Sequence, residues 1–161
     1  MNKKMMLIML VAIVSIVVTA CSGGKSATVE PKLTAKEMAD QMFKEIEQPQ
    51  LMELSAEEVK TMYNLDVAKL EDYEIRIPMM MVHSNELAIV KVKDAKDIAE
   101  IEAAFKARAE VAQKSFETYL PDQYENAKNY KLITKGNYVM MVISDKADEL
   151  MSIYEGFFAQ K

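Results

Sequence analysis

The chain has 161 residues, of which 25 are acidic and 20 basic, and a net charge of −5 at pH 7. This acidic balance argues against nucleic acid as a partner, because phosphate backbones are bound by basic surfaces. One cysteine excludes an internal disulfide, and one histidine, His83, excludes multi-histidine zinc sites and most histidine-dependent nucleophilic triads. Only four glycines are present, which argues against a glycine-rich phosphate-binding loop and hence against a bound nucleotide.

The first 20 residues have the pattern of an export signal. Lys3 and Lys4 precede an apolar run over residues 5–18, and small residues come before Cys21. The run is shorter than the roughly 20 residues that a membrane-spanning helix needs. The motif VTAC, which ends at Cys21, resembles a bacterial lipobox. That resemblance implies cleavage before Cys21 and acylation of its thiol.

This pattern predicts three parts of the chain and a location. We expect a signal peptide at 1–20, a flexible tether with acylated Cys21 at 21–33, and a single α+β domain at 34–161. Acyl chains hold a protein at a bilayer, since each buried methylene adds about 0.8 kcal/mol of membrane affinity. The expected location is therefore the outer face of the plasma membrane, with the membrane as a partner through the Cys21 acyl chains.

Two capping boxes predict helices at the start of the domain. The motif TAKE at residues 34–37 precedes an apolar repeat and predicts a helix over about 35–47, which ends before Pro49. The motif SAEE at residues 55–58 predicts a second, shorter helix that ends near Asn64.

Alternating apolar residues next predict a hairpin. The first strand is expected over residues 73–82 and the second over 86–93, with a turn at Ser84 and Asn85. In the second strand Ala88, Val90 and Val92 should face inward, with Lys91 and Lys93 outward. Pro78 lacks an N–H group, so it is expected at a sheet edge or at a break in the first strand.

An apolar stripe over residues 98–120 predicts a helix of about 25 residues that starts near Asp94. Pro121 ends this helix and is expected to begin a short further one, because proline suits the first helical position. Strands are expected at 131–134 and 138–144, joined by the turn sequence KGN. The later strand is apolar on both faces, which is typical of a strand inside a sheet.

A last helix, with Asp145 as its cap, completes the predicted order of elements. Hairpins separated by helices predict an α+β fold. We expect an antiparallel four-stranded sheet from two hairpins, packed with one long and several shorter helices.

Met79, Met81 and His83 are candidate ligands of a soft metal. Alternate residues of a strand share a face, and two thioethers with an imidazole suit Cu(I). The same face continues as Ile75 and Ile77, however, so the favoured alternative places both methionines in the core with His83 at its rim. No cofactor is expected.

The region 119–138 is rich in tyrosine and asparagine, and its tyrosines are candidates for a surface that recognises a peptide or a sugar. They are Tyr119, Tyr124, Tyr130 and Tyr138. The favoured alternative is that these rings cap the core and leave their hydroxyl groups in water.

The acidic residues mark no catalytic pair. Glycoside hydrolysis needs two carboxylates across a cleft, and no two of the 25 acidic residues stand out. The clusters Glu57-Glu58 and Asp145-Asp148-Glu149 are explained by helix N-termini, which favour negative charge. No catalytic residue is predicted, and the chain is expected not to be an enzyme.

Several motifs resemble one known family. The VTAC motif, the MM strand followed by KVKD, and the run YLPDQYE, KNYKLI and GNYV resemble lipoproteins of Gram-positive anaerobes catalogued as domain of unknown function 4358. The resemblance covers residues 35–160 and is most specific over 119–139. It implies a surface lipoprotein and assigns no activity, ligand or catalytic residue.

We therefore predict a lipid-anchored extracytoplasmic binding or interaction lipoprotein without enzymatic activity. An envelope protein or a cell-wall component is the expected partner besides the membrane. The alternatives are a carboxylate-based cell-wall hydrolase and a copper-binding protein that uses Met79, Met81 and His83.

Overall fold

The computed structural model describes residues 30–159, which adopt the predicted α+β fold. Five strands form one antiparallel sheet in the order β1-β2-β3-β5-β4, and helices pack on both of its faces. The expected signal peptide, Cys21 and most of the expected tether lie outside the described residues. Within residues 30–159, every helix is too short or too polar to cross a membrane.

The elements have the following bounds. The helices are α1 (Ala35–Glu45), α2 (Ala56–Tyr63), α3 (Ile98–Phe116), α4 (Pro121–Lys128) and α5 (Ala147–Gly156). The strands are β1 (Leu51–Glu53), β2 (Leu70–Pro78), β3 (Glu86–Val92), β4 (Lys131–Lys135) and β5 (Tyr138–Ile143). Short 3-10 helices occupy Val67–Lys69 and Ala95–Asp97.

Both predicted capping boxes are present. Thr34 accepts a hydrogen bond from the backbone N–H of Glu37, whose carboxylate accepts one from the Thr34 N–H at 2.8 Å. Ser55 and Glu58 make the same exchange at the start of α2, also at 2.8 Å. Each exchange satisfies N–H groups that the first helical turn leaves without a partner. Asn64 ends α2 with φ +53°, a left-handed conformation that asparagine tolerates.

The sheet has five strands rather than the predicted four. β1 pairs antiparallel with β2, so that Leu51 lies opposite Pro78 and Glu53 opposite Arg76. Two of the three β1 residues are exposed. A strand of this length is too short to show an alternating apolar pattern, which is why the sequence did not reveal it.

β2 ends at Pro78 rather than at the predicted Val82, and it begins at Leu70, three residues earlier than predicted. Proline cannot donate a ladder hydrogen bond, and the chain leaves the sheet after it. Met79 and Met81 are 54% and 93% exposed. The prediction that they lie on one strand face is therefore wrong, and so is the alternative that they belong to the core.

The sheet separates two apolar cores. α2 and α3 cover one face, and α1 and α5 cover the other. β3 is the middle strand and is buried on both faces, whereas the sequence predicted an outward face at Lys91. β5 is internal, as predicted. The buried sheet residues of the first core are Leu70, Ile75, Ala88, Val90, Val92, Val139 and Met141, and those of the second are Leu87, Ile89, Tyr138, Met140 and Val142.

The long helix is shorter than predicted. The 3-10 turn leads directly into α3, so that the helical stretch runs over residues 95–116. Leu120 then takes a left-handed conformation with φ +52°, which separates α3 from α4. Pro121 begins α4, as predicted. The apolar stripe thus ends at Phe116, because the chain turns before Leu120 can follow it.

The start of α5 also differs from the prediction. Asp145 was expected to cap this helix, but Lys146 occupies the cap position and provides no side-chain hydrogen bond. The Ser144 hydroxyl accepts a hydrogen bond from the Lys146 N–H at 3.0 Å instead. Ser144 is buried directly after β5, so its hydroxyl is held where the chain turns into the helix.

Candidate functional site

One end of the sheet carries a cleft of about 240 Å³. At this end, which we call the cleft end, β2 ends at Pro78 and β3 begins at Glu86. The cleft lies between α3 and the connection formed by residues 79–85. Most of its walls are apolar. Its lining comprises Met62, Ile77, Pro78, Met81, His83, Ser84, Glu86, Arg108, Ala112, Ser115 and Phe116.

A buried ion pair lies in this lining. Glu86 is 2% exposed and accepts hydrogen bonds from Arg108, from Nε to Oε1 at 2.9 Å and from Nη2 to Oε2 at 2.8 Å. The hydroxyl group of the buried Tyr63 also donates to Glu86 Oε1. The guanidinium lies 5.6 Å from the centre of the Tyr63 ring. The carboxylate is thus both neutralised and hydrogen-bonded, as burial of a charge requires.

The surroundings of Tyr63 and of Arg108 keep each side chain in its protonated form. Burial raises the pKa of Tyr63 well above its usual range, and the negative charge of Glu86 raises it further. Burial on its own would lower the pKa of Arg108, but the hydrogen bonds and charge of Glu86 outweigh it and raise that pKa. At neutral pH Tyr63 therefore remains a donor and Arg108 a cation.

Arg108 has donors that Glu86 does not use. A guanidinium carries five N–H bonds in a planar fork. Within residues 30–159, its Nη1 atom donates no hydrogen bond. The side chain is 16% exposed and belongs to the cleft lining. These N–H bonds are therefore available to an acceptor group in the cleft.

An exposed apolar loop forms the lip of the cleft. The exposed fractions are 54% for Met79, 56% for Met80, 93% for Met81 and 42% for Val82. The N–H of His83 donates to the Met80 carbonyl at 3.2 Å and closes this turn. Contiguous exposed apolar side chains mark interaction sites, and methionine adapts its shape to different partners. We call residues 79–82 the methionine loop.

The copper prediction loses its geometric basis. Met81 and His83 line the same cleft, but Met79 is not part of that lining. The three residues lie on a loop rather than on one face of a strand. Within the described part of the chain, no cluster of three or more histidine, cysteine, aspartate or glutamate side chains could hold a metal ion.

A wider polar groove of about 780 Å³ adjoins the cleft and shares His83 with it. Amide and hydroxyl side chains cross-link its walls. Asn85 Nδ2 donates to Gln48 Oε1 at 3.0 Å, and Ser144 Oγ donates to the same oxygen at 3.1 Å. The Ser84 N–H donates to Gln123 Oε1 at 2.8 Å and ties the connection before β3 to α4. These bonds position the loops around the cleft end.

The four candidate tyrosines do not form one surface. Tyr138 is 5% exposed and packs edge-on against Phe158 at 5.3 Å, inside the second core. It begins β5 at the opposite end of the hairpin from Tyr130, which precedes β4. Tyr119 is 56% exposed, and Tyr124 is partly exposed on α4. None of the four lines the cleft.

Four of the five clustered acidic residues lie in first helical turns, and only Asp145 precedes its helix. Glu57 and Glu58 occupy the first turn of α2, and Asp148 and Glu149 occupy the first turn of α5. Negative charge is favoured there by the partial positive charge of a helix N-terminus. Among the residues that line the cleft, Glu86 is the only carboxylate, and Arg108 and Tyr63 already occupy it.

The sequence analysis did not predict the cluster of Tyr63, Glu86 and Arg108, although the rarity of arginine in this chain pointed to Arg108. The chain contains only two arginines, Arg76 and Arg108, among its 20 basic residues. Each holds a buried glutamate, since Arg76 Nε donates to Glu74 Oε1 at 2.5 Å. Arginine suits such sites because its fork binds a carboxylate at two points.

The fold and the cleft define an α+β domain with a small, largely apolar site that contains one arginine. The chain belongs to the family described as domain of unknown function (DUF4358), whose model matches residues 44–144. The expected family is thus confirmed over residues 44–144, a range that contains every residue of the cleft lining. No curated protein and no solved structure matches the chain.

Proposed function

We propose that this protein is a lipid-anchored extracytoplasmic binding protein that holds a ligand in the cleft. The observation that carries the proposal is an apolar cleft whose one arginine keeps unused N–H donors. Sites for small ligands are typically concave and apolar, with a few polar groups that fix orientation. The VTAC motif at Cys21 supports the anchor.

The position of Glu30 supports a cleft that faces away from the bilayer. Glu30 Oε1 lies 2.5 Å from Lys91 Nζ, and Lys91 is paired with Tyr138 at the end of the sheet opposite to Glu86. Lys91 lies five residue steps along the strand from Glu86, which corresponds to about 17 Å. An acylated Cys21 would hold the Glu30 end near the membrane and leave the cleft open to the exterior.

The chemistry of the cleft favours binding over catalysis. A general acid or base must exchange a proton with its substrate. Glu86, the carboxylate of the lining, is held by Arg108 and Tyr63 and is 2% exposed. The cluster thus supplies fixed donors for orientation. We assign no catalytic residue.

Native mass spectrometry of the full-length protein, extracted from its own membranes in a mild detergent, tests the binding function. Ser115 is exposed at the cleft, so Ser115→Trp should block the cleft without disturbing the core. Val111 lies one turn earlier on α3, is 50% exposed and does not line the cleft, so Val111→Trp is the matched control. We expect a retained small molecule in the wild type and in Val111→Trp but not in Ser115→Trp. If all three proteins showed only the mass expected of the protein itself, with no retained molecule, the proposal would be contradicted.

The anchor is tested separately. Acylation should add the mass of two or three acyl chains to a protein that begins at Cys21, and Cys21→Ala should leave the membrane fraction. If Cys21→Ala stayed in that fraction and still incorporated palmitate, the anchor would be wrong. Release of fragments from purified cell wall by the wild type would instead favour the hydrolase alternative.

A further inference from the structure

We propose that the cleft recognises a small amphiphilic carboxylate, with its apolar body against the cleft walls and its carboxylate on the unused N–H groups of Arg108. This inference rests on the proposed function and names the class of ligand. Three features of the cleft lead to it: the geometry of the guanidinium, the charges around it, and the size and chemistry of the walls.

The geometry of the guanidinium leaves one edge for a second carboxylate. Glu86 occupies the edge formed by Nε and Nη2, because Nε donates to both carboxylate oxygens and Nη2 donates to Oε2. The edge formed by Nη1 and the second N–H of Nη2 points to no acceptor within residues 30–159. An arginine can bind carboxylates at two points on more than one edge, because its donors are fixed in a plane. Tyr63 and Glu86 hold this plane in place.

The charges of the residues that line the cleft permit an anion to bind at the Nη1 edge of Arg108. Glu86 and Arg108 together carry no net charge, but the carboxylate is 2% exposed while the guanidinium reaches the cleft. The pair therefore presents its positive end to a ligand. The lining contains no carboxylate besides Glu86, so no second negative charge repels the ligand there. After cleavage before Cys21, 18 basic residues remain with 25 acidic ones, and this net negative charge acts at longer range and is screened by salt.

The walls specify a small apolar body. Six of the side chains that line the cleft are apolar: Met62, Ile77, Pro78, Met81, Ala112 and Phe116. The volume of about 240 Å³ lies below the roughly 300–1,000 Å³ of sites for drug-sized ligands. Met81, 93% exposed at the lip, can close over a longer ligand, because an unbranched thioether side chain adapts to what it contacts.

Two kinds of ligand combine a small apolar body with a carboxylate. One is a short-chain fatty acid, and the other is the C-terminal carboxylate of an apolar amino acid at the end of a peptide. Both present an apolar group a few bonds from a carboxylate. The experiment uses hexanoate as the probe for the first source and N-acetyl-leucine for the second.

The test is a calorimetric titration of the full-length acylated protein in lipid nanodiscs, with empty nanodiscs as the blank. Each carboxylate is compared with its own amide, hexanamide or N-acetyl-leucinamide, which has the same apolar body and no charge. We expect at least one carboxylate to bind at least tenfold more tightly than its amide. Tighter binding of hexanoate would identify a fatty acid as the source, and tighter binding of N-acetyl-leucine would identify a peptide end.

Variants test whether Arg108 causes the preference for a carboxylate over its amide. Arg108→Lys keeps a positive charge beside Glu86 but loses the planar fork, so the preference for carboxylate over amide should fall at least tenfold. Ser115→Trp should abolish binding, and Val111→Trp should leave it unchanged. A thermal unfolding curve checks that Arg108→Lys is folded. The comparison of carboxylate with amide on the wild type needs no variant, so it decides the inference even if Arg108→Lys does not fold.

Two outcomes would overturn the inference. In the first, both amides bind as tightly as their carboxylates, which would show that Arg108 does not discriminate by the charge of the ligand. In the second, neither carboxylate binds. If mass spectrometry still detected a retained molecule that Ser115→Trp removes, the cleft would be a binding site for another class of ligand. The proposed function would then stand, and only the ligand class would fail.

Discussion

Glu86 on β3 and Arg108 on α3 are joined by three hydrogen bonds of 2.9, 3.2 and 2.8 Å, and Glu86 is 2% exposed. Removal of one partner leaves the other charge buried without compensation. We predict that Arg108→Leu lowers the free energy of unfolding by about 3–5 kcal/mol. Equilibrium urea unfolding measures this loss.

The double variant Arg108→Leu/Glu86→Gln provides the control. Glutamine removes the buried charge and keeps an acceptor for the Tyr63 hydroxyl, so the double variant should be more stable than Arg108→Leu alone. Equal stability of the single and double variants would show that the unpaired charge does not cause the loss.

Two buried tyrosines should respond in opposite ways to loss of their hydroxyl groups. Tyr63 donates to a carboxylate, so Tyr63→Phe should lower the free energy of unfolding by about 2 kcal/mol. Tyr154 Oη is buried and has no hydrogen-bond partner within residues 30–159. Tyr154→Phe should therefore raise that free energy by about 1 kcal/mol. Urea unfolding at pH 7 measures both changes, and a loss of stability in Tyr154→Phe would contradict the second.

Stability should fall at alkaline pH. Burial raises the pKa of Tyr63 and the pKa of Tyr154 above the usual value near 10. For groups with a raised pKa in the folded state, the stabilisation is complete below the unfolded pKa and is lost as pH rises towards the folded one. We expect the free energy of unfolding to decline above about pH 10. Unfolding titrations between pH 8 and 11 should show a shallower decline in Tyr63→Phe and in Tyr154→Phe than in the wild type, and an unchanged slope in both variants would contradict the assignment.

Substitution of two glycines by alanine should also have opposite effects. Gly136, in the β4–β5 turn, has φ +58°, and a Cβ there would meet no atom within 4 Å. Gly136→Ala should cost about 1–2 kcal/mol from backbone strain alone. Gly156 ends α5 without a positive φ, and its Cβ would also be unobstructed. Gly156→Ala should raise stability by about 0.5–1 kcal/mol. Thermal unfolding of the two variants checks the pair, and a stabilised Gly136→Ala would refute the strain argument.

The proposed orientation predicts which surface lies near the bilayer. Met81, at the lip of the cleft, is 93% exposed, and Lys96, just beyond β3 at the opposite end of the sheet, has a side chain that is 75% exposed. With Cys21 acylated, Met81→Cys or Lys96→Cys would supply a reactive thiol for a fluorophore. In vesicles with spin-labelled lipid headgroups, the probe at Lys96 should be quenched more strongly. Stronger quenching at Met81 would instead mean that the methionine loop meets the membrane.

Local features of this protein were predictable because their partners are near in sequence. The capping boxes at Thr34 and Ser55 join groups three residues apart, and Pro121 acts through its own ring. The apolar stripe of α3 and the two apolar faces of β5 follow from the helical and strand periods. The α+β class, the confirmed helices and an internal β5 rest on such patterns.

The sequence by itself thus determined most of the helices and strands with their approximate bounds, and it contains the lipobox-like motif. Only the tertiary structure determined which residues form the candidate site. β1 forms because the edge of β2 is available for pairing. The chain leaves the sheet after Pro78, although Met79 and Met81 continue the apolar pattern of β2. The cluster at the cleft consists of Tyr63, Glu86 and Arg108, which come from three elements and meet only when α2 and α3 pack on the sheet. No local period encodes such a meeting, because burial and hydrogen bonding across distant segments arise only from the packed fold.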